Sequence, residues 1–214
     1  MKKIVIPLLI FILTILTLTL KAKAEIYADP NDDEIGCKTV AYFNDLFAKL
    51  EQAATHDPNK NNYREIMQPV AESVDGFYGG SLIDPNFIII EVYHKSHFLA
   101  RGYDLKKVKE LAEFYRKMKE NPSPQLSEPG RGTLLQPKLI SIRYPVIKDG
   151  KLKNILSMMV RTDTYIKAVG LDKCRAYKII CNEKAAETKG KFTGDYKTVK
   201  LKLPSTEWII QYQK

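Results

Sequence analysis

Apolar residues recur at helical spacing over Val40, Phe43, Phe47 and Leu50, with Leu46 beside them, which predicts an amphipathic helix from about Cys37 to Ala54. His56-Asp57-Pro58-Asn59 ends it, because the residue before proline is pushed out of the helical region. A second helix is predicted from Tyr63 to Val74, strained at Pro69, with Asp75-Gly76 and Gly79-Gly80 breaking the chain after it. Phe87 to Tyr93, almost all β-branched or aromatic, reads as a central strand, and His97 to Arg101 as a shorter one. Asp104 caps a third helix whose apolar face (Leu105, Val108, Leu111, Ala112, Tyr115, Met118) runs to Glu120, where Asn121-Pro122-Ser123-Pro124 stops it.

Gln125 to Pro137, rich in proline and glycine, reads as a long connection. Leu139 to Ile147 and Leu152 to Arg161 are strands joined by Asp149-Gly150, a pair suited to the positive φ angles of a tight hairpin turn. Thr162-Asp163 caps a short helix to Val169, closed by Gly170. A strand over Arg175 to Cys181, a polar lobe, and a final pair over Thr198 to Leu203 and Glu207 to Tyr212 complete the chain. Hairpin-joined strands with segregated helices make the class α+β: a central antiparallel sheet with a long N-terminal helix and covering helices.

The N-terminus changes the picture. Two lysines, a 17-residue uncharged run from Ile4 to Leu20, and Lys21-Ala22-Lys23-Ala24 form an export signal. The organisation expected is a signal peptide over 1–24 (or an uncleaved anchor), a polar lead over 25–36 and one domain over 37–214. The protein is accordingly placed outside the cytosol, periplasmic or secreted, where ATP-driven chemistry is disfavoured. The formal charge of +9 includes four leader lysines and no leader acids, so the remainder carries 30 basic and 25 acidic residues. That excess is spread without a basic block, which argues against a nucleic-acid partner.

Cys37, Cys174 and Cys181 match no zinc or haem spacing. A strand between Cys174 and Cys181 would hold them about 23 Å apart, against the roughly 7 Å a disulfide tolerates, so any bridge must involve Cys37. His94 and His97 are the only closely spaced histidines, and an offset of three on a strand gives poor metal geometry. Ser96 beside His97 has no nucleophile elbow or supported triad. No catalytic residue, metal or cofactor is assigned.

The strand Phe87 to Tyr93, the stretch Pro137 to Lys151 with its Lys-Asp-Gly turn, and the strand Ile155 to Val160 resemble the extracytoplasmic PAS-like sensor domains called Cache or PDC domains. The likeness runs from about Cys37 to Tyr212. It implies a small ligand held between the sheet and the long connection, with the first helix passing the signal on. Where many such domains place an amine-binding aspartate, Met159 and Val160 stand, and Asp163 lies beyond them. No membrane helix follows Tyr212, so the partner expected is a separate membrane signalling or transport protein.

Arg143 and Arg161 sit on the paired strands, away from their turn, and two guanidiniums on one cleft would suit a carboxylate or phosphate; the competing reading is solvent-facing arginine. Tyr78, Tyr115 and Tyr144 are candidate aromatic walls, and Asp163 and Arg131 candidate polar points. The function expected is non-enzymatic capture of a small, anionic ligand. The alternatives are an envelope interaction or structural protein without a ligand, and a hydrolase of unrecognised type.

Overall fold

Asp33 sets where the first helix begins. The computed structural model describes residues 25–29, 31–93, 100–130, 132 and 136–214, so the N-terminal stretch read as an export signal, His94, Ser96, His97 and Arg131 lie outside the described residues. Helix α1 spans Glu34–Ala54, starting ahead of its apolar repeat because Asp33 Oδ1 accepts from the N–H groups of Ile35 and Gly36, both at 3.0 Å. The other carboxylate oxygen accepts from the Tyr212 hydroxyl at 2.5 Å, tying the helix start to the end of the chain. Among the described residues no helix is long and apolar enough to cross a membrane.

Helix α2 spans Tyr63–Ser73 with Pro69 inside it, as its sequence predicts. Five strands then build one antiparallel sheet: β2 (Phe77–Ile83), β3 (Ile89–Tyr93), β4 (Gln125–Leu126), β5 (Leu139–Lys148) and β6 (Lys151–Arg161), in the order β3-β2-β6-β5-β4. Asp149 and Gly150 both have positive φ (51° and 71°) and close the β5–β6 hairpin. Helix α3 (Ala112–Glu120) covers this sheet, and α4 (Thr162–Val169) leads the chain off it, ending at Gly170 with φ 84°.

A second sheet follows, from β7 (Ala176–Cys181), β8 (Lys184–Lys189), β9 (Tyr196–Leu203) and β10 (Thr206–Gln213), with β1 (Glu25–Ala28) at its edge in the order β1-β9-β10-β7-β8. The class is α+β with antiparallel sheets; among the described residues only β1 and β9 pair in parallel. The polar lead therefore contains a strand and the first turn of α1. The polar lobe contains β8, because Asn182 and Glu183 adopt positive φ (49° and 63°) and turn the chain without a glycine to signal it.

Other expectations change as well. The apolar run ending at Tyr93 forms an edge strand, not a central one; both its faces are covered, which is why every position but Glu91 is apolar or aromatic. Gly79 and Gly80 lie inside β2 rather than breaking it. The helix expected from Asp104 is two short 3-10 turns, Leu105–Lys107 and Lys109–Leu111, separated from each other by an extended Val108 (ψ 103°), before α3 begins. Arg101 stands in a turn. None of the three cysteines forms a disulfide, so no bridge involves Cys37; Cys174 and Cys181 are buried at either side of an extended β7, as the spacing argument requires.

Two apolar clusters divide the first sheet. Leu82, Ile140, Leu156, Met158 and Val160 face α1 and α2 (Phe43, Leu50, Met67), and that core continues into the second sheet through Ile179, Leu201 and Trp208. The opposite face carries Ile83, Ile89, Val92 and Ile155 against Phe87 and the α3 residues Phe114 and Met118.

Candidate functional site

The strand register places a row of polar side chains across that second face. Gln125 pairs with Arg143, Arg143 with Ser157, and Ser157 with Ser81, ending opposite Val92. Directly opposed residues share a face, so one line crosses all five strands. The next row is apolar: Pro145, Ile155 and Ile83. Gln125, Arg143 and Ser157 are only 3%, 9% and 6% exposed.

Arg143 is the centre of this row. Its guanidinium lies 4.4 Å from the Phe114 ring centroid, and among the described residues it has no ion pair and no hydrogen-bond acceptor. Burial lowers its pKa to about 10, with Tyr115 opposing, so it stays charged at neutral pH. Buried charges are ordinarily paired, because leaving water without a counter-charge is costly. The Gln125 Nε2 is also buried without a partner. A cationic fork, an orphan amide donor and two serine hydroxyls thus converge on one strip, all able to donate to an anion.

An aromatic cover closes over the strip. Phe87 packs on Tyr115 and Phe114 with ring centroids 4.8 and 5.7 Å away. The Tyr115 hydroxyl donates to the Leu105 carbonyl, and burial pushes its pKa up to about 12. Phe87 has φ +64°, a strained conformation for a bulky side chain. The Asp84 turn imposes it: the Asp84 carbonyl accepts from Phe87 N–H at 2.9 Å, and its carboxylate from Asn86 and Ile88 N–H at 2.9 and 2.8 Å.

The structure brings Arg143 and Tyr115 together and separates the other candidates. Tyr144, next in sequence, points to the opposite face, where its hydroxyl donates to Glu51 Oε1 of α1 at 2.9 Å. Arg161 pairs with Leu139, four positions along β5 from Arg143, roughly 13 Å away. The two arginines do not open on one cleft. Arg161 instead makes a two-point ion pair with Asp163 at 2.7 and 3.0 Å, and Tyr78 lies near it at the β2 bulge. Gln125, Ser157 and Ser81 were not legible as site residues, since nothing but register joins positions so far apart. The connection holding Gln125 does not simply arch over a space: Gln125 and Leu126 join the sheet as β4.

Two clefts open elsewhere, neither reaching Arg143. One of about 600 Å³ lies between α1 and α2, lined by Ala53, His56, Ile66 and Pro69. The other, about 460 Å³, lies where the two sheets meet, lined by Arg161, Thr162 and Asp163 among others. Among the described residues no cluster of histidine, cysteine or carboxylate side chains could hold a metal ion.

Glu91 steadies β3 on the face away from the row. It is 4% exposed. Burial raises its carboxyl, but the Val92 N–H at 3.1 Å and the guanidiniums of Arg101 and Arg64 outweigh this and hold it below the ordinary value. A lowered folded-state pKa stabilises above the unfolded value and is lost as pH falls through the folded one. Glu91→Gln is therefore expected to lower stability by about 1 kcal/mol at pH 7, with the deficit shrinking below about pH 4.5. Urea midpoints across pH 3 to 7 check it; a deficit unchanged with pH would contradict the assignment.

No family model matches the chain, and no curated protein matches it. Solved structures do. An extracellular ligand-binding receptor from Desulfohalobium retbaense superposes with TM-score 0.64 at 13% identity, over 84% of this chain and 39% of that one. This chain thus spans well under half of that receptor. The ligand-binding domain of the Pseudomonas aeruginosa amino acid chemoreceptor PctC, solved with GABA, gives 0.58 at 13% identity over 83% and 94% of the two chains. That of the Pseudomonas fluorescens chemoreceptor CtaA, solved with L-alanine, gives 0.58 at 15% over 82% and 90%. The chain shares the PAS-like α+β fold of these ligand-binding domains.

Proposed function

We propose that this protein is an exported, non-enzymatic sensor domain that binds a small organic carboxylate on the polar row of its first sheet. The observation that carries the reading is Arg143, a buried guanidinium with an aromatic cover and no protein anion among the described residues. Arg143 forks onto the carboxylate, Gln125, Ser157 and Ser81 donate alongside, and Phe87, Phe114 and Tyr115 enclose the organic part. No acid stands in the row, so the ligand's charge is read and an amine is not required. The strained backbone at Phe87 supports a cover that moves to admit ligand.

Arg143 and Tyr144 are adjacent on β5 but face opposite ways, one into the site and the other onto α1 through Glu51. A shift of β5 on binding therefore reaches α1, which hands it to a membrane signalling or transport partner. The test is a thermal-shift panel of organic acids, amino acids and nucleobases on the full chain. At ten times its dissociation constant a ligand adds about 1.4 kcal/mol, roughly 3–6 °C for a domain of this size. A flat response to every carboxylate would overturn the proposal and favour an envelope interaction protein.

A further inference from the structure

The cleft between the two sheets has the makings of a second site. Its walls come from the approach to β5 (Lys138), the start of α4 (Thr162, Asp163, Ile166, Lys167) and the second sheet (Tyr177, Glu187, Lys189). Thr162 is 1% exposed, and its Oγ1 has no hydrogen-bond partner. A buried hydroxyl without a partner destabilises the fold unless something else meets it.

The charges around it are unevenly spent. Glu187 is taken by Lys138 at 2.8 and 3.0 Å, and Asp163 by Arg161. Lys189 Nζ donates to the carbonyls of Asp172 and Cys174, at 2.6 and 2.9 Å, leaving its positive charge without a carboxylate. Lys167 has no ion pair among the described residues. What the cleft still offers is the Thr162 hydroxyl and the Lys167 and Lys189 ammonium groups, two positive charges against the one carboxylate, Asp172, that lines the cleft without an ion pair among the described residues. Ile166 and Pro137 add an apolar ledge.

We infer that this cleft binds a small dicarboxylate, separate from the Arg143 site, and that its occupancy clamps the two sheets together. One carboxylate meets Thr162 and Lys167 on the side of the first sheet, and the other meets Lys189 on the second. The roughly 460 Å³ available suits four- to six-carbon diacids.

The experiment titrates succinate, adipate and the uncharged succinamide into the full chain by calorimetry, comparing Thr162→Val, Lys167→Gln and Arg143→Met. Succinate or adipate should bind while succinamide does not, with affinity reduced about tenfold or more by either cleft substitution and unchanged in Arg143→Met. Thr162→Val should also melt higher than the parent without ligand, since it removes the orphan hydroxyl at constant shape. Binding lost in Arg143→Met but intact in both cleft variants would place the diacid on the first site and overturn the inference. So would an absence of diacid binding, or a lower melting temperature in Thr162→Val with diacid affinity unchanged.

Discussion

Arg143→Met is expected to melt higher than the parent protein and to lose carboxylate binding on the polar row of the first sheet, leaving any binding in the cleft between the sheets. Both effects follow from one fact: the guanidinium is buried and has no counter-charge among the described residues. In the absence of ligand the side chain carries a desolvation cost that the Phe114 ring only partly offsets, a contact of about 1–2 kcal/mol. Methionine fills a similar volume without the charge, so the unliganded fold should gain about 1–3 kcal/mol. Binding should weaken at least a hundredfold, because a buried two-point bond between guanidinium and carboxylate is worth about 2–5 kcal/mol when one partner is removed. Arg143→Lys separates charge from shape: it keeps the positive end but loses the fork, and an intermediate affinity is expected. Chemical denaturation and calorimetry read the two effects independently. A variant both less stable and still responsive to the same carboxylate would show that Arg143 serves the fold and not the ligand.

The opposition of stability and binding at one residue is also why the site was only half visible in the sequence. Arg143 and Tyr115 could be nominated from residue type. Gln125, Ser157 and Ser81 could not, because they lie 18 and 14 residues to either side of Arg143 or far upstream, and only antiparallel register aligns them. One signal was available and points the other way for Tyr144: neighbours on a strand face opposite sides, so Arg143 and Tyr144 could never line one pocket. Local chemistry was read well where it acts alone. The Asp149-Gly150 turn, the stop at Gly170 and the apolar stripe of α1 each formed where the residues indicate. The division of the strands into two sheets was not legible, since strand patterns carry the face that is buried but not the partner that buries it.

The misreading of Gly79-Gly80 yields the sharpest stability prediction: Gly80→Ala should cost about 3 kcal/mol, and Tyr63→Phe should restore a large part of it. Glycine in a strand signals either a break or a close approach, and here it is the approach. A Cβ at Gly80 would meet the Tyr63 hydroxyl of α2 at 2.7 Å, Met67 Cε at 3.2 Å and the Ser157 carbonyl at 3.2 Å. The strand cannot yield easily, because Gly80 is paired with Tyr93 on one side and Met158 on the other. Tyr63 cannot yield easily either: it is fully buried. Its hydroxyl, however, has no hydrogen-bond partner, so removing that oxygen forfeits no bond and opens the space the new methyl needs. Tyr63→Phe alone should be neutral or stabilising by up to about 1 kcal/mol, and the double variant should sit at least about 1 kcal/mol above the sum of the singles. Guanidinium unfolding of the four proteins measures that coupling. Additive effects would mean that α2 and β2 are not in the contact described, and with it would go the rigid backing that holds Ser81, the next residue along, in line with Ser157 and Arg143.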